Sequence, residues 1–334
     1  MRQIGEEDLS RAATVLVKTA LRVSVGERFV AVGDLESQPM LAALEAAARG
    51  LGAESVSLRI DLLRSYSTNH SGERPHKVLP DAVRRAMLSA QASAFVASAP
   101  HAESSMREQL LHCVGACRIR HAHMPGISPL AFATGLVTDH GVIAENARNL
   151  ERKLEIAREI AVESPAGTKL VLRAGKGRNW VPRTGIVGPG EHSSFPTGSI
   201  IATPEEVDGT FVATASLGEF FGVREGLLRD PVRFTIVGAR VTGVSCEKNP
   251  QLVKDIETML AVAPNSDRVG LVVLGVNKGI IEPVGDVCVD QHRPGLHLVF
   301  GDPMTKLTTA GWTARTSFAA CQAQSSVLVD GALV

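Results

Sequence analysis

Aromatic residues are scarce in this chain: ten phenylalanines, two tryptophans and one tyrosine in 334 residues. Single-strand nucleic-acid platforms stack bases on aromatic rings, and ammonium cages need several rings around one cation. Neither is expected here. A positive surplus is also missing, since Lys plus Arg (35) equals Asp plus Glu (35). Duplex-DNA binding needs such a surplus to displace counterions, so no nucleic-acid partner is expected. The five cysteines are odd in number and scattered. That excludes a disulfide framework and points to a reducing cytoplasm. The strongest apolar run, Val269 to Val276, falls far short of the roughly 20 residues of a membrane span and reads as a buried strand. Met1 to Ser10 is polar and acidic and carries no apolar signal core. A cytoplasmic protein with no membrane partner is expected, and its Ala, Arg and Gly content suits a GC-rich bacterial genome.

What is present is ordinary globular composition, 44% hydrophobic, in a length that suggests about two domains. The first half alternates strand and helix signals. Strands are read at Arg28–Gly33, Ser55–Ile60, Ala94–Ser98 and Arg118–His123. Helices are read at Glu6–Leu21, Gln38–Leu51, Val78–Ala90, Glu103–Ala116 and Asp139–Val162. That order implies βαβ units around a parallel sheet. Near Ser164-Pro-Ala-Gly167 the pattern changes to β-branched runs with Gly/Pro turns, and only Pro250–Ala261 keeps a clear helical period. The expected organisation is an α/β, Rossmann-like domain over 1–165 and a β-rich α+β domain over 166–334.

Phosphate-binding signatures are absent: neither G-x-G-x-x-G nor G-x-x-x-x-G-K-[ST] occurs. No G-x-S-x-G elbow is present either. Cys113, Cys117, His121 and His123 have a C-x3-C-x3-H-x-H spacing that resembles a zinc cluster. The alternative is two buried thiols at a helix end and two histidines at a sheet rim. Two segments are more informative. In Gly188-Pro-Gly-Glu-His-Ser-Ser-Phe-Pro-Thr-Gly198 a glycine turn presents Glu191 and His192. In Pro294-Gly-Leu-His-Leu-Val-Phe-Gly301 a strand carries His297 between glycines. A loop carboxylate and a strand imidazole are two halves of a metal site, and equally a satisfied carboxylate and a buried histidine.

From about Val25 to Val329 the chain resembles the thermophilic metallo-aminopeptidase (aminopeptidase T) family and its relative, the iron-dependent 2,5-dihydroxypyridine dioxygenase. Gly190-Glu191 to Pro196 matches a G-E-x-x-x-x-P loop, and His297 to Gly301 an H-x-x-x-G strand. The remaining ligand positions do not match. The resemblance places them at Val273, Met304, Ser317 and Ala319, and the dioxygenase's two histidines and aspartate at Val273, Ser317 and Ala319. Leu217-Gly218-Glu219 spells the family's L-G-E but comes too early in the order. A catalytic metal needs about three protein ligands, and valine and alanine supply none. The resemblance thus implies a degenerate member that binds no metal or other cofactor, Glu191 with His297 being the weak alternative pair. It implies a groove for a peptide, lined by Arg178, Trp180, Glu191, His192, His297 and Arg315. Metal-free members of this fold bind precursor peptides in ribosomal peptide natural-product biosynthesis, as in crocagin assembly. A homodimer and contacts with other pathway proteins are further implications. The competing expectations are a metal-dependent aminopeptidase or ring-cleaving dioxygenase with a non-standard ligand set, drawing on Glu219 or the His121/His123 pair, and a docking partner for another pathway protein.

Overall fold

The structure, a computed structural model, describes residues 4–65, 78–98, 104–173 and 179–334. In chain order its elements begin with α1 (Glu6–Val15), a π-helical turn (Leu16–Ala20), β1 (Arg28–Gly33), α2 (Gln38–Gly50), β2 (Glu54–Arg59) and α3 (Ile60–Ser65). There follow α4 (Asp81–Met87), β3 (Ala92–Ala97), α5 (Ser104–Ala116), β4 (Arg120–Pro125), α6 (Pro129–Gly135) and α7 (His140–Leu154). Next come β5 (Glu159–Glu163), β6 (Lys169–Arg173), β7 (Val181–Arg183), β8 (His192–Ser194), β9 (Ser199–Ala202), β10 (Glu206–Ala213) and α8 (Glu219–Glu225). The chain ends with β11 (Val232–Val237), β12 (Arg240–Ser245), α9 (Pro250–Ala261), β13 (Val269–Gly275), α10 (Val287–Asp290), β14 (Gly295–Gly301), α11 (Thr305–Thr308), β15 (Ser317–Ala320), β16 (Ser326–Val329) and β17 (Ala332–Leu333).

Two compact units result. The first holds residues 1–141 and 185–196; the second holds 142–184 and 197–334. Compactness therefore divides the chain ahead of the composition change near residue 165, and a short later segment returns to the first unit.

The first unit is a five-stranded sheet in the order β2-β1-β3-β4-β8, parallel throughout. Every residue of β3 is buried, as a parallel strand covered on both faces must be. On one face Val30, Val32 and Phe95 pack against Val83 and Met87 of α4 and Met106, Leu110 and Val114 of α5. On the other, α2 lies against β1 and β2, and α1 packs on α2 and α6.

The second unit has two antiparallel sheets, β12-β11-β10-β6-β5-β16-β17 and β15-β14-β13-β9-β7. Their facing residues share one core with α7 and α9. Five of the ten phenylalanines meet there: Phe234 lies 5.0 Å from Phe300, Phe300 is 5.9 Å from Phe318, and Phe211 and Phe221 extend the contact. Half of the phenylalanines thus lie in the core of the second unit.

Two readings of the sequence need correction. The helix expected over 139–162 stops at Leu154, and 159–163 form β5. Alternation decides it: Ile160 and Val162 are buried while Glu159 and Glu163 are exposed, and β5 pairs antiparallel with β6 and β16. The segment read as a loop around Glu191 contains β8, a fifth parallel strand. By contrast, α9 spans Pro250–Ala261 as expected, because Asn249 caps it: its side-chain oxygen accepts from Leu252 N–H at 3.0 Å. Asn249→Ala is expected to cost about 1 kcal/mol, a fall of a few degrees in melting temperature measured by thermal unfolding.

Candidate functional site

His297 sits on β14, where strand alternation sets the geometry. Leu296, Leu298 and Phe300 turn into the main core, so His297 and Val299 share the opposite face. Val273 of β13 is registered directly across from His297. Ala319 lies across from Val299 on β15, and Ser317 across from Gly301. Four positions that the metallo-aminopeptidase resemblance associates with a metal therefore do share one sheet face. Their surroundings are hydrocarbon: Ile201, Leu271, Val273 and Val299 form one buried cluster, with Val181 and Ala319 against it.

His297 is itself buried and fully bonded. Its Nε2–H donates to the Arg293 carbonyl at 3.1 Å, and its Nδ1 accepts from Gln322 N–H at 3.3 Å. These partners select the neutral Nε2–H tautomer and leave no ring lone pair for a metal. Burial holds its pKa down to about 4; the bond to the Arg293 carbonyl opposes this and the Arg293 charge adds to it. The network continues on both sides. Gln322 Nε2 donates to Leu296 O at 2.6 Å, and its Oε1 accepts from Thr168 Oγ1 at 3.0 Å. Arg293 spends its guanidinium on the carbonyls of Ile280, Ala323 and Ile281. His297 is a structural junction between β14, the segment after β15 and the loop before β14.

Glu191 and His192 belong to the first unit, whereas His297, Trp180 and Arg315 belong to the second. Gly190 takes a φ of +85°, turning the chain into β8. Glu191 is exposed and its Oε2 accepts from Gly188 N–H at 3.0 Å; a Cβ at Gly188 would meet that same oxygen at 2.8 Å. Trp180, expected on a groove wall, is instead buried in the second unit's core, a large apolar ring drawn in by the hydrophobic effect. Arg315 is exposed in the loop before β15. Met304 adopts a left-handed φ of +51° at the start of α11. Arg178 lies outside the described residues. Leu217-Gly218-Glu219 opens α8 rather than lying in a strand, with Leu217 bridged to Ala320.

The His121/His123 pair belongs to the first unit. Both lie on the sheet face covered by α5, in register with Ser93 and Phe95 of β3. Ser93 Oγ is 2.8 Å from His121 Nδ1, and His121 Nε2 is 3.2 Å from His123 Nδ1. Phe95 stacks on His123 with centroids 5.3 Å apart, and the His192 ring stands 6.4 Å away. Burial, then the charges of Arg107 and His192, bring His123 to about 4; burial drives His121 well down. Cys113 is buried among the apolar residues of α5, and Cys117 packs against the same cluster. The zinc spacing therefore does not assemble a zinc site: among the described residues no three His, Cys, Asp or Glu side chains form a metal-holding group.

A mononuclear or dinuclear metal centre thus does not fit these residues. One candidate ligand has no free lone pair, three of the other positions carry side chains without a nitrogen or oxygen donor, and Ser317 is a weak ligand exposed on β15. Sequence reasoning missed Arg293, Gln322 and Thr168, whose separation along the chain gives no local signal.

The profile of the family described as NicX, 2,5-dihydroxypyridine 5,6-dioxygenase, matches residues 14–259. Two solved structures share the fold. The 2,5-dihydroxypyridine dioxygenase from Pseudomonas putida KT2440 superposes with a TM-score of 0.66 at 18% identity, over 99% of this chain and 96% of that one. Wild-type AmpT from Thermus thermophilus gives 0.60 at 14% identity, over 98% and 99%. No curated protein sequence matches.

Proposed function

This chain belongs to the 2,5-dihydroxypyridine 5,6-dioxygenase family, and we propose that it serves there as a binding protein without metal chemistry. One observation carries the reading: the sheet face that bears the expected ligand positions is hydrocarbon, and the histidine it retains is saturated by backbone partners. The ligand proposed is a peptide, a precursor in ribosomal-peptide natural-product biosynthesis, since an aminopeptidase-like fold is shaped around peptide substrates. A homodimer and contacts with other pathway proteins belong to the same proposal. So does a cytoplasmic location; among the described residues no helix is long and apolar enough to cross a membrane.

Family membership favours a second reading, a dioxygenase or aminopeptidase with an unusual ligand set. Metal analysis separates the two. Protein purified, incubated with iron(II), zinc or cobalt and desalted is expected to retain far less than one metal ion per chain. Near-stoichiometric metal, with a turnover abolished by Glu191→Gln and His297→Ala together, would establish the enzyme. Calorimetric titration with a short precursor peptide encoded beside this chain's gene tests the ligand. Saturable heat supports the peptide; no heat and no shift in melting temperature would favour a protein partner instead.

A further inference from the structure

The second unit has a small polar pocket of about 250 Å³, apart from the His297 face, lined among others by Asn179, Thr203, Thr308, Thr309, Arg268 and Trp312. Arg268 immediately precedes β13, and its backbone carbonyl accepts from Gly301 N–H at 2.8 Å, which fixes the root of its side chain. Its guanidinium stacks over the Trp312 ring, 4.3 Å from the centroid. That arrangement holds the planar fork rigid while leaving its N–H edge open.

The neighbouring charges are already committed. Arg240 makes a two-pronged ion pair with Asp267 at 2.7 and 2.9 Å. Among the described residues nothing accepts a hydrogen bond from the Arg268 guanidinium, nor from the backbone N–H groups of Ala310, Gly311 and Trp312 beside it. Burial, then the charge of Arg240, disfavours its cationic form, and Asp267 offsets this in part. An anion in the pocket would relieve that cost. The planar fork matches the two oxygens of a carboxylate. The volume falls below the roughly 300–1,000 Å³ of drug-sized sites, so it suits a small group or a chain end.

We propose that this pocket is a carboxylate-binding subsite in which the Arg268 fork, braced on Trp312, takes the carboxylate of a small acid or of a peptide C-terminus. The peptide source rests on the function proposed above; the carboxylate chemistry does not.

The chain has only two tryptophans, Trp180 and Trp312. Their indole N–H signals in a proton–nitrogen spectrum read the pocket wall at Trp312 and, at Trp180, a ring buried in the core, Trp312→Phe supplying the assignment. Titration with N-acetylalanine is expected to move the Trp312 signal saturably and the Trp180 signal, whose ring is buried in the core, much less. N-acetylalaninamide is expected to move neither. Arg268→Gln should weaken the acid by roughly tenfold or more, and Arg268→Lys by less, because lysine keeps the charge but loses the fork. An unmoved Trp180 signal shows that each variant is folded. A pentaalanine with a free C-terminus that binds more tightly than N-acetylalanine, and more tightly than its amide, assigns the subsite to a peptide end. Equal affinity for the two acids assigns it to a free acid. Equal response to acid and amide, no response to either, or undiminished binding in Arg268→Gln overturns the proposal. Such a failure leaves peptide binding elsewhere on the chain intact, since the precursor titration reads that independently.

Discussion

Between pH 6.5 and about 4 the protein is expected to lose stability steeply, the first unit ahead of the second. Burial holds His123 and His140 at about 4 and drives His121 well down, all in the first unit, while His297 at about 4 is in the second. Asp139 partly opposes the shift of His140. Their folded values lie below the unfolded value of 6.5, so as the pH falls the unfolded chain takes up these protons first. Stability is therefore complete above about 6.5 and is lost as the pH descends toward the folded values, by up to about 1.4 kcal/mol per pH unit for each group. Carboxylates act lower. Burial would raise Asp34, but bonds from Ser37 and Ser98 outweigh it and hold it below 3.8, so its contribution is lost only beneath the histidine window. Trp180 and Trp312 both lie in the second unit. Urea titrations at pH 7, 6, 5 and 4.5, followed by tryptophan fluorescence and by far-ultraviolet circular dichroism, therefore report on the second unit and on the whole chain. A midpoint that stays constant from pH 7 to 5 by both probes would show that these histidines are not neutral in the folded state.

His297→Ala is the second large effect. The imidazole serves two buried backbone groups, the Arg293 carbonyl and the Gln322 N–H. Its removal leaves both without a partner and opens a cavity beside Val273 and Val299. Orphaned buried groups cost about 1–3 kcal/mol each before relaxation, so a net loss of about 2–4 kcal/mol is expected. The same substitution should reduce the acid sensitivity of the fluorescence transition, because the second unit loses the buried imidazole of His297, held at about 4. His297→Gln, which can present one donor and one acceptor, should recover part of the stability but not the pH dependence. A metal-ligating histidine would behave in the opposite manner, with stability little changed and metal retention lost. Urea midpoints and metal content of the two variants decide between these outcomes.

Much of the architecture is legible in local pattern. The strand Arg28–Gly33 and the helix Pro250–Ala261 coincide with the observed elements, because an apolar run closed by glycine marks the first and apolar periodicity with the Asn249 cap marks the second. The segment 192–194 carries no such mark. Its three residues become a strand only because β4, about 70 residues earlier, offers a free parallel edge to pair with. The strand at 159–163 was masked by the long charged helix before it, and its pairing with β16 decides its fate. His297 lies in the strand that its flanking residues predict, yet its chemistry turns on Arg293 and Gln322, which no spacing rule connects to it.

The scarcity of aromatic rings and the balanced charge give the expectation of no nucleic-acid platform, and the side chains at Val273, Met304 and Ala319 lack the donors of a metal centre. These are properties of composition and of single positions, which the sequence states outright. The fully bonded imidazole of His297 and the pairing of Arg268 with Trp312, 44 positions further along, belong to the tertiary structure. A hydrogen-bond partner or a stacking ring is chosen by which strands and loops become neighbours, and that is set by burial of the whole core rather than by any local run of residues.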